Sequence, residues 1–85
     1  MTDNLSLGDI AVGQVTEVIG LDSTQNVPNQ WFEWLEQIGF VPGERCEVMH
    51  RVRGGFPMAV RVGVSTFALR KDEAQCVLVK FVENP

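Results

Sequence analysis

The 85-residue chain contains no tyrosine, one histidine and two cysteines, and its first 43 residues hold no lysine or arginine. Each shortage removes a class of protein. Two cysteines, Cys46 and Cys76, cannot build a disulfide framework, and reduced thiols in the cytoplasm are the simpler expectation than a single bridge. A lone histidine, His50, leaves no partners for a catalytic triad or a histidine-rich metal site. The patterns GxSxG, HExxH, CxxC and a phosphate-cradling glycine loop are all missing, so no enzyme is expected. No apolar run approaches the roughly 18 residues that a membrane helix needs. Met1-Thr2-Asp3-Asn4 shows no basic stretch leading into an apolar one, so no secretory signal is expected either.

Charge is unevenly placed. Met1 to Gly43 carry six acids and no base, whereas Glu44 to Pro85 carry seven bases against five acids, for a net charge of -4. Phosphate-backbone binding needs clustered Lys and Arg, so nucleic acid is a poor partner. A split of this kind instead suggests surfaces of different sign, suited to selecting a protein partner.

A chain this short forms one domain, 1–85, and buries only about 60–65% of the surface its unfolded form exposes. Leu5 to Asp9 reads as an extended entry and a turn. Ala11 to Ile19 is β-branched, with an imperfect alternation that predicts a bulge or sharp bend. Leu21 to Pro28 is a polar loop. Asn29 is placed to cap a helix over Gln30 to Ile38, in which Trp31, Trp34, Leu35 and Ile38 form one apolar stripe. Phe32 falls off that stripe and is expected at the surface with Phe40 and Phe56. Gly39 stops the helix and Pro42 keeps it from resuming.

Glu44 to Arg53 alternates as a strand. It predicts Cys46, Val48, His50 and Val52 on the inner face, and Arg45, Glu47, Met49, Arg51 and Arg53 on the outer one. Gly54 to Pro57 turns the chain, and Met58 to Val64 returns it. A further strand follows over Thr66 to Arg70, then a helical turn at Lys71 to Ala74 and a closing strand from Cys76 to Val82. Five short strands with one or two short helices, mainly β, predict a small closed barrel. With the turn centred on Gly54 to Pro57, Arg53 and Arg51 lie across from Ala59 and Arg61 on the outer face. The like-charged neighbours Arg51 and Arg61 then call for an anion or a carboxylate between them.

Leu35-Glu36-Gln37-Ile38-Gly39-Phe40-Val41-Pro42-Gly43 matches the pattern L-x-x-L-G-[LF]-x-P-G, and Ala68-Leu69-Arg70-Lys71-Asp72-Glu73-Ala74 matches A-L-R-x-x-E-A. With Leu7-Gly8, Gly13-Gln14-Val15 and Val60-Arg61-Val62-Gly63 in the same order, the chain resembles the ferrous iron transport protein A (FeoA) family from about Leu5 to Val79. The resemblance implies an SH3-like β-barrel. It also implies a cytoplasmic accessory or regulatory protein of bacterial ferrous iron uptake that reaches the inner membrane only through its partner, with no insertion of its own. That partner is the cytosolic, G-protein-like part of the membrane transporter FeoB, and a homodimer stays open. The alternative is a metal-responsive sensor like the C-terminal SH3-like domain of iron-dependent repressors, whose helix-turn-helix has no counterpart here.

Two departures stand out: Gly55-Phe56-Pro57 replaces a frequent Gly-Asp-Pro, and Trp31-Phe32-Glu33-Trp34 occupies a region often basic in the family. The absence of tyrosine argues against the proline-rich-peptide groove of signalling SH3 domains. The expected partner-binding set is therefore Trp31, Phe32, Trp34, Leu35 and Phe56 for apolar contact, with Arg51, Arg53 and Arg61 meeting an acidic surface. No firm cofactor and no dedicated metal site are expected, and any divalent ion should bind weakly. His50 and Cys46 stand about 13 Å apart along a strand, too far to share an ion.

Overall fold

A computed structural model describes residues 5–82. The β-branched segments form strands β1 (Leu5–Ser6), β2 (Val15–Leu21), β3 (Arg45–Arg51), β4 (Met58–Val62), β5 (Ser65–Leu69) and β6 (Val77–Phe81). Two helices, α1 (Asn29–Gln37) and α2 (Lys71–Gln75), and a 3-10 turn at Leu7–Asp9 join them. The strands make one antiparallel sheet in the order β1-β6-β2-β3-β4-β5, wrapped around a single core. The expected fold class holds, with two corrections. The entry segment adds a sixth strand by pairing Leu5 with Val79, and among the described residues no ladder joins β1 to β5. The SH3-like sheet is therefore coiled but open along one seam.

Local chemistry sets the element ends. β2 starts at Val15 rather than Ala11 because Gln14 N–H returns to Ala11 O at 3.2 Å, making Ala11 to Gln14 a turn. The bulge expected in β2 falls at Ile19, where the register with β6 shifts between Val18 and Gly20. Helix α1 begins at Asn29, whose side chain makes no cap. Pro28 is the capping residue instead, its carbonyl accepting from Trp31 N–H at 3.0 Å. At the other end Gly39, with φ +121°, closes a Schellman turn: Gly39 N–H bonds Glu36 O at 3.1 Å and Phe40 N–H bonds Leu35 O at 2.9 Å. That turn folds Phe40 back beneath the helix, and Phe40 and Leu35 are both wholly buried. Surface exposure of Phe40 was the wrong expectation. Helix α2 follows the expected helical turn, with a Glu73 carboxylate oxygen accepting from Arg70 N–H at 2.7 Å.

The largest departure lies in β3. Its register with β4 shifts between Val48 and His50, so Met49 is an extra residue and the alternation reverses beyond it. Cys46 and Val48 point into the core as predicted, but His50 is exposed and Val52 lies beyond the strand, also exposed. Arg51, expected on the outer face beside Arg61, instead sits opposite the buried Met58. Its guanidinium Nη2 donates to Ile10 O at 2.6 Å and Gly8 O at 2.8 Å, and Nη1 donates to Gly55 O at 3.2 Å. Phe56 covers it, with the ring centroid 5.2 Å from Cζ. One cation thus ties the 3-10 turn after β1 to the hairpin between β3 and β4.

Charge-assisted hydrogen bonds to partly buried carbonyls are worth about 1.5–3 kcal/mol each before solvent competition is counted. Arg51→Met should therefore cost about 2 kcal/mol in urea unfolding followed by Trp31 and Trp34 fluorescence. Arg51→Lys should recover less than half of that, because one ammonium cannot span three carbonyls in a fork.

Candidate functional site

The surface beside α1 is built by three segments. The bulge in β2 carries Gly20 and Leu21 outward, α1 presents Phe32 and Glu36, and the Schellman turn delivers Phe40 and Pro42. With Ser23 they enclose a concavity of about 380 Å³. Its walls are mostly carbon, and Phe40, fully buried, closes its floor. Its rim is acidic. Glu36 stands exposed on the helix. Asp22 follows Leu21 and accepts from Thr24 N–H at 3.0 Å, Thr24 Oγ1 at 2.6 Å and Gln25 Nε2 at 3.1 Å. The Thr24 hydroxyl, then Gln25, hold its carboxyl below the ordinary value, so it stays ionised at neutral pH.

The aromatic residues named from the sequence separate here. Leu35 is wholly buried and cannot meet a partner while α1 stays docked. Trp34, Ile38 and also Phe32 are half-buried against the core. Phe32 was expected off the packed stripe; the helix turns its Phe32–Leu35 side inward, so Phe32 both packs on the core and lines the groove. Trp31 is half-buried but lies outside the residues packed on the core. Phe56 is half-buried under the hairpin loop, against Arg51 and the core. Leu21, Ser23, Glu36 and Pro42 were not picked out from the sequence. The only signals were the acid bias of the first half and the apolar residue following Gly20.

The three arginines do not converge. Arg51 is committed internally, Arg53 is exposed in the hairpin loop, and Arg61 lies on the outer face of β4 opposite Glu47. The repulsive Arg51–Arg61 pair does not arise, because the Met49 bulge separates their faces. The outer face alternates in sign: Glu17 stands between Lys80 and Arg45, with Lys80 Nζ 3.9 Å from Glu17 Oε2. A second, polar concavity of about 210 Å³ lies there between Val15, Arg45, Cys46, Glu47, Arg61 and Gly63.

Among the described residues no three His, Cys, Asp or Glu side chains gather as a metal site. His50 is turned to solvent while Cys46 is buried, so the two point to opposite sides of the sheet. Both thiols are free. Cys46 Sγ lies 3.2 Å from Thr16 Oγ1, which in turn donates to Cys46 O at 3.3 Å, satisfying the one buried polar side chain of the described core. Cys76 donates to Asp72 O at 3.3 Å. Burial pushes the Cys46 thiol up, only partly offset by Thr16; burial, then the carboxylates of Asp22, Asp72 and Glu73, push Cys76 up.

The comparisons with known proteins fit this geometry. The model of the FeoA domain matches residues 5–81. A FeoA-like protein from Clostridium acetobutylicum is 24% identical, with a TM-score of 0.82 over 100% of this chain and 94% of that one. FeoA of Stenotrophomonas maltophilia, solved in complex with zinc, is 29% identical, with a TM-score of 0.79 over 89% of each chain. A manganese-dependent transcriptional repressor in complex with manganese shares the fold, at 18% identity and a TM-score of 0.82, over 96% of this chain and 38% of its own. No curated protein matches.

Two outcomes follow. Folding holds both thiols neutral, and the unfolded chain ionises them first as pH rises past their ordinary value, 9.0. The folded state then binds more protons than the unfolded one, so stability should fall across that range. Urea titrations on either side of that pH should show the slope flattened in a Cys46→Ala, Cys76→Ala variant. For metal, His50→Ala should leave zinc and ferrous-ion binding unchanged in calorimetric titration, since among the described residues His50 belongs to no cluster of three candidate ligands.

Proposed function

Because the chain belongs to the FeoA family, and so to the machinery of ferrous-iron transport, we propose that it is a cytoplasmic, non-enzymatic accessory protein. In this reading it binds the cytosolic, G-protein-like part of a FeoB-type transporter and modulates its activity. The observation that carries the reading is the apolar groove beside α1 with the Glu36 carboxylate among its lining residues. A concave carbon surface edged by one sign of charge suits an apolar anchor flanked by bases on another protein, because the rim fixes orientation and the groove supplies burial.

Phe32 offers its ring inside the groove, and the half-buried Trp31, Trp34 and Phe56 would add aromatic contact outside it. Arg53 and Arg61, the two exposed arginines of the expected set, would meet acids on the same partner. Arg51 and Leu35 contribute by holding the surface in place. None of the helices among the described residues is long and apolar enough to cross a membrane, so attachment there would run through the transporter.

A second reading, a metal-responsive sensor, draws on the zinc-complexed relative and the manganese-dependent repressor. The two readings differ in what binds first. Ferrous titration of the purified chain should leave its folding and assembly unchanged under the first and shift them under the second.

The direct test is co-purification with the isolated cytosolic domain of the transporter, comparing GTP hydrolysis with and without this chain. Glu36→Lys should weaken that complex about fivefold to tenfold, the usual scale for reversing one rim charge. Arg53→Glu with Arg61→Glu should lower affinity and its dependence on salt. Binding untouched by Glu36→Lys would remove the groove from the interface.

A further inference from the structure

The outer edge of β5 is bare. The two-residue turn Gly63-Val64, with φ +59° at Gly63, makes Val62 and Ser65 a hydrogen-bonded pair, and this sets the parity of the whole strand. Ser65, Phe67 and Leu69 direct their backbone groups to β4, whereas Thr66 and Ala68 direct theirs away from the sheet. Among the described residues no strand pairs with that side. Edges of this kind are normally blunted by charge, proline or a bulge. Ser65–Leu69 has none of these, and its register with β4 is regular throughout.

We propose that this edge pairs antiparallel with β5 of a second copy, with Thr66 of each chain opposite Ala68 of the other. Three observations select a second copy and this register. First, the arrangement is two-fold symmetric and uses every outward N–H and C=O of the strand, giving four interchain hydrogen bonds about an axis through Phe67. Shifting the pairing either way loses bonds. One shift recruits Val64, which belongs to the turn. The other recruits Arg70, whose N–H is held by Glu73 Oε1 at 2.7 Å and whose carbonyl is held by Ala74 N–H at 2.9 Å.

Second, Phe67 is half-buried at the open seam of the sheet, packed on the core on one side only. In this register Phe67 faces Phe67 of the other copy as a close, non-hydrogen-bonded pair, and the two rings cover each other. Third, Val64, 97% exposed, falls opposite Arg70 of the second copy and receives its aliphatic stem. Arg70 and Lys71 of the two chains lie at opposite ends of the junction, so no like charges meet. The result is a continuous sheet through two molecules. Its short contact places it among weak, reversible interfaces.

Amide hydrogen exchange and sedimentation of the unsubstituted chain, from roughly 10 µM to 1 mM where a small interface of this kind associates, test the proposal. Expected are a rise in mass toward two copies and concentration-dependent protection of the Thr66 and Ala68 amides, which pair with no strand among the described residues of the monomer. Thr66→Pro removes two of the four bonds without breaking a contact to β4, and should lower the association constant at least about tenfold. A chain that stays monomeric overturns the proposal. So does a dimer whose Thr66 and Ala68 amides stay unprotected, or protection that appears only when an unlike peptide is added. The exchange measurement needs no variant, so it decides even where Thr66→Pro fails to fold.

Discussion

A single inserted residue in β3 governs how this small sheet is held together. Without the extra step at Met49, strict alternation would drive the His50 ring toward the core and leave Arg51 on the outer face of the sheet, the face that carries Arg61. With it, the guanidinium enters the narrow end of the barrel, where two loops leave three carbonyl oxygens pointing inward. A planar fork with five donors suits that geometry better than any other side chain. A domain of this size has few core residues to spare, and its loop ends would otherwise rely on water. One bulge therefore exchanges a histidine for an arginine and converts two separate turns into one fixed corner.

The same economy explains the surface beside α1. A nine-residue helix is not stable alone in water. It is held by Leu35, by Phe32, Trp34 and Ile38 along its inner side, and by a Schellman turn that pushes Phe40 beneath it. The residues that dock the helix also floor the groove, so the site's shape follows from the core rather than from a flexible loop. The charges around it come from a half-chain that carries acids alone, which gives the rim one sign.

What the amino-acid pattern makes legible is mostly period and punctuation. β4, β5, β6, α2 and the Gly39 stop are readable because alternation, capping and glycine act within a few residues. The β2 bulge is readable because its own alternation fails. The β3 bulge leaves no such trace: Cys46, Val48, His50 and Val52 alternate so well that the pattern fits an unbroken strand. The reversal is decided by partners distant in the chain, namely Met58, Gly8 and Ile10. Phe32 and Phe40 are missed for a related reason, since a stripe drawn on an isolated helix cannot know which side the following turn will fold under. The groove and the outer-face sign pattern are tertiary facts, assembled from segments that carry no motif of their own.

The open seam between β1 and β5 is the remaining feature of the sheet. Among the described residues β1 spans Leu5–Ser6 and pairs with β6, and no ladder joins its other edge to β5. Among the described residues no strand pairs with the outward backbone groups of Thr66 and Ala68, and Phe67 between them is only half-buried. The groove beside α1 uses no residue of β5, so occupying one surface does not consume the other. The described sheet thus presents two separate surfaces of different chemistry. One is a carbon-lined hollow with the Glu36 carboxylate in its lining; the other is a ladder of peptide groups that recognises backbone rather than side chains.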